Sequence, residues 1–283
     1  MKHYDTIIDV GTLATHLGEE GLRVIDCRHD LSDPGAGRHA YAEGHIPDAR
    51  FLHLDEDLSG PRDGRNGRHP LPDPDEFAAR LGRRGIRADD QVVAYDDVGG
   101  AIAARLWWML RWIGHDRVAV LDGGWRAWRE AGHPVETQIH EALPTTHGVH
   151  PGSVAAIGTQ ALRGALERAE VLLIDARSPD RFRGENETLD PVAGHIPGAV
   201  NRFFRENLQG GRFRPADELR AEFLALLGSR NPTEIVHQCG SGVTACHNLL
   251  AMEIAGLSGA SLYPGSWSEW CADPSRPVAT GPG

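Results

Sequence analysis

The chain has 283 residues, enough for two ordinary domains, with 40% hydrophobic residues to fill their cores and 24% charged residues to keep them in solution. Its formal net charge of −11 repels nucleic-acid phosphate and anionic membrane, so neither is expected as a partner. The basic residues are almost all arginine; Lys2 is the only lysine, so Schiff-base chemistry is excluded unless Lys2 is recruited.

The first ten residues, MKHYDTIIDV, show no basic segment followed by an apolar one, so no secretory signal is expected. Apolar runs elsewhere are short and broken by charge, too short to span a membrane. Four cysteines, Cys27, Cys239, Cys246 and Cys271, form no Cys-x-x-Cys pair, and His-Glu-x-x-His does not occur. We therefore expect no metal, no disulfide framework and a reducing cytoplasmic setting.

In chain order, Val24-Ile25 leads to Asp26 as a buried strand ending at a loop, and a Gly44-His45-Ile46-Pro47 turn follows. Helical spacing covers Asp75 to Leu81, then a strand runs from Gln91 to Tyr95, a helix from Ala101 to Trp112 and a strand from Val118 to Leu121. From about His133 to Ser153 the chain is rich in Pro, Gly, Thr and His, the composition of a connector. The series then restarts. Leu172-Leu173-Ile174 leads to Asp175, Gly194-His195-Ile196-Pro197 repeats the turn, a helix covers Ala216 to Leu227, and a strand covers Glu234 to Gln238. A last helix covers Val243 to Ala255, with Leu249, Leu250 and Ile254 toward the core and Gly256 as its stop.

This is an internal repeat. Asp175 lies 149 residues after Asp26, Gly194 lies 150 after Gly44, and Trp267 lies 142 after Trp125. Strands alternating with helices imply an α/β fold, each copy a mainly parallel sheet with helices on both faces. The boundaries read as a non-catalytic domain at 1–140, a linker at 141–153 and a catalytic domain at 154–283. Trp125/Trp128 and Trp267/Trp270 fill equivalent core sites, and Trp107, Trp108 and Trp112 pack a helix. His45 and His195 occur in both copies, which points to folding rather than catalysis.

The chemistry concentrates after the Glu234–Gln238 strand, in Cys239-Gly240-Ser241-Gly242-Val243-Thr244. A cysteine at the carboxyl end of a strand, before a helix N-terminus, stands where open α/β sheets place ligands. Gly240 and Gly242 let backbone N–H groups converge, and the helix end adds positive potential; both favour a nucleophilic thiolate. Cys27, Cys246 and Cys271 lack this context and are structural. A cysteine phosphatase needs Cys-x5-Arg, and the residue six after Cys239 is Ala245. In the first copy Asp96 stands at the cysteine's place, so only one copy is chemical.

These residues together resemble the tandem-domain rhodanese sulfurtransferases. The marks are the paired turns, Asp175-Ala176-Arg177, the Cys239 loop and Gly265-Ser266-Trp267. The resemblance implies that Cys239 cycles between thiolate and persulfide without a cofactor. It implies two kinds of partner, a small anionic sulfur donor and a thiol acceptor such as thioredoxin. The Cys-Gly-Ser-Gly-Val-Thr loop is similar to that of the 3-mercaptopyruvate branch, with Gly240, Gly242, Val243 and Thr244 around the donor. Arg181, six after Asp175, matches a donor-carboxylate arginine of that branch. A second arginine is expected some nine residues later, where Leu189-Asp190 stands, so that clamp is missing or rebuilt. The branch also implies that Asp55 and His69, from the first copy, meet Ser241 as a proton relay. Because Gly240-Ser241-Gly242 carries no positive side chain, a dianion should bind weakly. Two alternatives remain: a thiosulfate sulfurtransferase, and a persulfide carrier without fast turnover.

Overall fold

A computed structural model describes residues 3–282, so Lys2 lies outside the described residues. The chain forms two compact units that are not continuous in sequence. The first gathers the chain up to Gly60 with 71–153 and 210–213; the second gathers 61–70, 154–209 and 214 onward. The 61–70 segment thus belongs to the second unit, although it lies within the first half of the sequence. The 141–153 segment, read as a linker, has no helix or strand and is fastened to the first unit. Thr145 donates to Gly82 O (2.8 Å), His150 to Ile113 O (2.9 Å) and Ser153 to Arg111 O (3.1 Å).

The first unit holds β1 (Ile7–Ile8), α1 (Val10–His16), β2 (Leu22–Asp26), α2 (Ala36–Glu43), β3 (Arg50–Phe51), α3 (Pro74–Arg83), β4 (Gln91–Tyr95), α4 (Ala103–Trp112), β5 (Val118–Leu121) and α5 (Gly124–Glu130). The second holds β6 (Ala155–Ala156), α6 (Thr159–Glu167), β7 (Leu172–Asp175), α7 (Pro179–Arg183), β8 (Val200–Asn201), α8 (Ala216–Leu227), β11 (Ile235–Gln238), α9 (Ala245–Ile254), β12 (Ser261–Leu262) and α10 (Ser266–Trp270). Two more two-residue strands, β9 (Leu208–Gln209) and β10 (Arg212–Phe213), stand outside the main sheets.

Both main sheets are five-stranded and parallel, in the orders β1-β5-β4-β2-β3 and β6-β12-β11-β7-β8. The two orders superpose term by term, as the repeat requires. Parallel neighbours need crossovers, and the helices supply them. The central strands are buried along their whole length, β4 and β11 at every residue, which is why they read as continuous apolar runs.

The repeated residues make repeated contacts. Arg28 pairs with Asp26 (Nη2–Oδ2 2.6 Å) and donates to Gly44 O (2.7 Å); Arg177 pairs with Asp175 (2.6 Å) and donates to Gly194 O (2.8 Å). The His45 ring stacks on Tyr41 (4.1 Å) with Nδ1 on Tyr41 O, and the His195 ring stacks on Phe182 (3.8 Å) with Nδ1 on Phe182 O. Trp128 and Trp270 are both buried and donate to Pro134 O and Pro277 O, each at 2.8 Å. These histidines and tryptophans therefore hold the fold, as their duplication implied. Trp107 and Trp108 are fully buried in α4, where Trp108 stacks on Trp112 (6.1 Å).

The α3 helix runs one residue earlier and two later than the expected Asp75 to Leu81, and three further elements move for local reasons. The α4 helix starts at Ala103 rather than Ala101, because the preceding N–H groups turn inward to the Asp96 carboxylate. The β11 strand starts at Ile235, because Glu234 closes a 3-10 turn (Pro232–Glu234) and accepts from Asn231 N–H (2.6 Å). The α9 helix starts at Ala245 and stops at Ile254, with Gly256 just beyond it at φ +67°. Six helices escaped the sequence reading, α1, α2, α5, α6, α7 and α10, all of nine residues or fewer. The two-residue strands escaped it too, being too short to show a period.

Candidate active site

The β7 and β11 strands are neighbours, with Asp175 in register with Gln238. Their carboxyl ends therefore open on the same edge of the second sheet. The end of β7 delivers Arg177 and then Arg181 at the start of α7; the end of β11 delivers Cys239.

Cys239 is buried, 2% exposed, and its backbone is pinned on both sides. Cys239 N–H donates to Ser266 Oγ (3.1 Å), while Trp267 N–H and Ser268 N–H donate to Cys239 O (3.0 Å) and Gly240 O (2.9 Å). Gly242 N–H donates to Cys239 Sγ (3.1 Å). Gly242 sits at φ +77°, and a Cβ there would meet Pro264 O at 2.3 Å, so no other residue fits. Val243 and Thr244 complete the loop before α9; Val243 is buried and Thr244 half-buried.

Ser266 is the residue that sequence reasoning missed here. It is a non-glycine in the left-handed region (φ 55°), and its hydroxyl accepts from Cys239 N–H and donates to Tyr263 O (2.9 Å). Strain of this kind persists where the surroundings over-determine it. The equivalent position in the first unit is Gly124, at φ +54°.

Ser241 is buried, and its Oγ lies 2.7 Å from His69 Nδ1, also buried. Sequence reasoning placed His69 in the first domain, but the 61–70 segment that carries it is part of the second unit. Asp55 belongs to the first unit, where its carboxylate lies 3.9 Å from His29 Nε2.

Arg181 donates to both carboxylate oxygens of Glu187 (2.9–3.2 Å) and stays 20% exposed. Arg68 comes from the 61–70 segment and pairs tightly with Asp190. A Cβ on Gly240 would stand 2.8 Å from Arg68 Nη2 and 3.4 Å from Arg181 Nη2, so two guanidinium groups converge beside the Cys239 loop. The expectation of a loop without positive charge is correct for the loop's own side chains but not for its surroundings. Arg68 carried no sequence signal, since its partners Asp190 and Ser268 lie 122 and 200 residues away. Behind this pair, burial works against the Arg177 charge, while Asp175, Glu187 and the Cys239 sulfur favour it.

The other cysteines are buried and outside any disulfide. Burial pushes the Cys27 thiol far up and the Cys271 thiol to about 11, so neither is a nucleophile at neutral pH. Cys246 donates to Gly242 O (3.4 Å). Among the described residues, two groups in the first unit gather potential metal ligands, His29-His53-Asp55 and Asp48-Glu136-His140. His53 already meets Pro34 O through Nε2 and the N–H groups of Asp55 and Glu56 through Nδ1, and Glu136 meets Asp48 N–H and His140. Among the described residues no helix is long and apolar enough to cross a membrane.

The family model "Rhodanese-like domain" matches residues 9–131 and again 159–273. The chain is 50% identical over 272 residues to the "Probable 3-mercaptopyruvate sulfurtransferase" of Pseudomonas aeruginosa, covering 95% of this chain and 96% of the relative. It is 34% identical to the thiosulfate sulfurtransferase of Bos taurus, over 93% of this chain and 90% of that one. The crystal structure of the 3-mercaptopyruvate sulfotransferase SseA from Escherichia coli matches with a TM-score of 0.80 and 30% identity, over 93% of this chain and 99% of that one.

Proposed function

The chain belongs to the tandem-domain rhodanese sulfurtransferases, and from that premise we propose that it takes sulfur from 3-mercaptopyruvate onto Cys239 and passes it to a thiol. One observation carries the reading: Cys239 Sγ lies at the carboxyl end of β11, with Gly242 N–H on it and Ser241, in the same loop, paired with His69 of the 61–70 segment.

In the first step the Cys239 thiolate attacks the donor sulfur. An S–S bond forms, the C–S bond breaks, and its electron pair leaves as the enolate of pyruvate. The proton that came in on the donor thiol then passes to the enolate, which leaves Cys239 as a persulfide anion and releases pyruvate. Ser241 and His69 form the relay for that proton, since a hydroxyl 2.7 Å from an imidazole can receive on one side and donate on the other. In the second step an acceptor thiolate, such as that of thioredoxin, attacks the outer sulfur and releases the Cys239 thiolate. Arg181 holds the donor carboxylate, and Gly240, Gly242, Val243 and Thr244 shape the loop around it. The step draws on no cofactor, and four cysteines outside any disulfide suit a reducing cytoplasm.

A second reading, with thiosulfate as donor, draws on the two guanidinium groups of Arg68 and Arg181, whose donors can grip an oxyanion beside Gly240. Steady-state kinetics with both donors decides between them. A higher kcat/KM for mercaptopyruvate supports the first reading; a higher value for thiosulfate replaces it with the second. A single equivalent of transferred sulfur with no further turnover would make the protein a carrier.

A further inference from the structure

Arg68 and Arg181 are presented forward beside Gly240, and two carboxylates lie behind them, Glu187 and Asp190, which are 1% and 2% exposed. Glu187 has many holds: it takes Arg181, reaches Arg177 at 3.4 Å, and accepts the N–H groups of Leu189 and Asp190 (2.9 and 3.1 Å). Its task is to pin the 187–190 turn. Asp190 is different. Its carboxylate takes Arg68 with one oxygen and reaches Arg181 at 3.4 Å with the other, so it bridges the two arginines that face the nucleophile. The four charges cancel: two guanidinium groups against two carboxylates. Arg177 is likewise cancelled by Asp175. Fork-shaped guanidinium groups are therefore offered to a donor in a pocket with no net positive charge.

We propose that Asp190 is a specificity residue that sets the charge of the donor pocket and so favours a monoanionic donor over a dianionic one. The proposal rests on the reading of Cys239 as the sulfur-accepting nucleophile. A carboxylate and a thiosulfate end can both satisfy the planar donors of Arg68 and Arg181. They differ in how much charge must enter a buried, neutral site beside a thiolate. A second negative charge a few ångströms away, in surroundings far less polar than water, is resisted more strongly than a first. Asp190 thus acts on the donor through Arg68 and Arg181, as a positioning group. Burial raises its carboxyl above the ordinary value while Arg68 opposes that rise, so the neutral isostere asparagine suits its place.

The test is Asp190→Asn, compared with Asp190→Glu, which keeps the charge. In Asp190→Asn the ratio of kcat/KM for thiosulfate over mercaptopyruvate should rise about tenfold or more, through a fall in the thiosulfate KM that grows steeper at low salt. Asp190→Glu should keep the wild-type ratio. An unchanged ratio in Asp190→Asn overturns the proposal, and so does the same shift in Asp190→Glu, which would make shape the cause. Calorimetry on the Cys239→Ser background removes turnover from the question. There Asp190→Asn should tighten binding of sulfate, a dianion, far more than binding of pyruvate, a monoanion. If sulfate tightens while neither donor is turned over, the charge filter stands and the donor reading falls. If both anions respond equally, the filter is wrong whatever the donor.

Discussion

The loop after β4 and the loop after β11 are the same backbone cradle put to opposite uses. In the first unit Asp96 fills the cradle with its own carboxylate. One oxygen accepts from Val98 and Gly100 N–H, the other from Ile102 and Ala103 N–H, all at 2.8–2.9 Å. Asp96 O takes Trp125 N–H at 2.8 Å, just as Cys239 O takes Trp267 N–H at 3.0 Å. In the second unit the side chain at that place ends in one sulfur, and Arg68 and Arg181 stand beside the loop with Glu187 and Asp190 behind them. A converging set of N–H groups attracts negative charge. Where the chain supplies that charge itself the loop is structural; where it supplies a thiol, the loop can do chemistry.

The comparison breaks most sharply at the two equivalent side chains. Cys239→Ser should lower turnover at least about a thousandfold with either donor, because a hydroxyl cannot carry the sulfur. Donor treatment followed by mass spectrometry should add one sulfur to the Cys239 peptide in wild type and none in the variant. Asp96→Ala should instead act on stability. It leaves four inward N–H groups without their acceptor and should cost about 2–4 kcal/mol in a denaturant titration. Equal stability would mean that the first cradle does not need its anion. The first unit should show no transfer activity in either form.

Smaller effects sharpen the assignment inside the second unit. Arg181→Ala should raise the donor KM about tenfold to thirtyfold with a smaller fall in kcat, since the contact exists before chemistry. An unchanged KM for both donors would move the anion elsewhere. Ser241→Ala should lower kcat/KM for mercaptopyruvate about tenfold and for thiosulfate much less, because sulfite leaves without a proton to manage. Equal falls would make Ser241 a loop-shaping residue and no part of a relay.

The smallest effect concerns acid. Each unit buries a neutral histidine: burial lowers His115 to about 4 in the first and His237 to about 3 in the second. The unfolded chain binds these protons near pH 6.5 while the folded chain refuses them, so stability is full above about pH 6.5 and falls as pH drops toward 4. Each group should contribute on the order of 1–2 kcal/mol of that fall, read by urea titration at pH 7 and pH 4.5. Both units should weaken together. His115→Gln should flatten the slope in the first unit alone, and an unaltered slope would assign the acid response to other groups.

Much of this was legible in the sequence because it is local. The Asp-x-Arg ends of β2 and β7, the Gly-His-Ile-Pro turns and the strand–loop–helix around Cys239 are each set by neighbours along the chain. Apolar periodicity and turn residues report such neighbours directly. Asp96 could be aligned with Cys239 for the same reason, but a one-for-one alignment says nothing of the four N–H groups that its carboxylate gathers. Ser266 entered only as part of the repeated Gly265-Ser266-Trp267 segment; its φ and its two hydrogen bonds show that it holds the Cys239 backbone.

Tertiary structure alone decided where the charge in the site comes from. Asp190 stands where a second arginine was expected, and Arg68, 122 residues away, meets it there. Neither residue has a periodicity or a cap to announce its partner. Charges from distant segments pair only after each segment has been placed by its own burial, so the partner depends on the packing and not on the neighbours. What local sequence determines is the cradle and the cysteine placed in it; which cations surround them is settled by the fold.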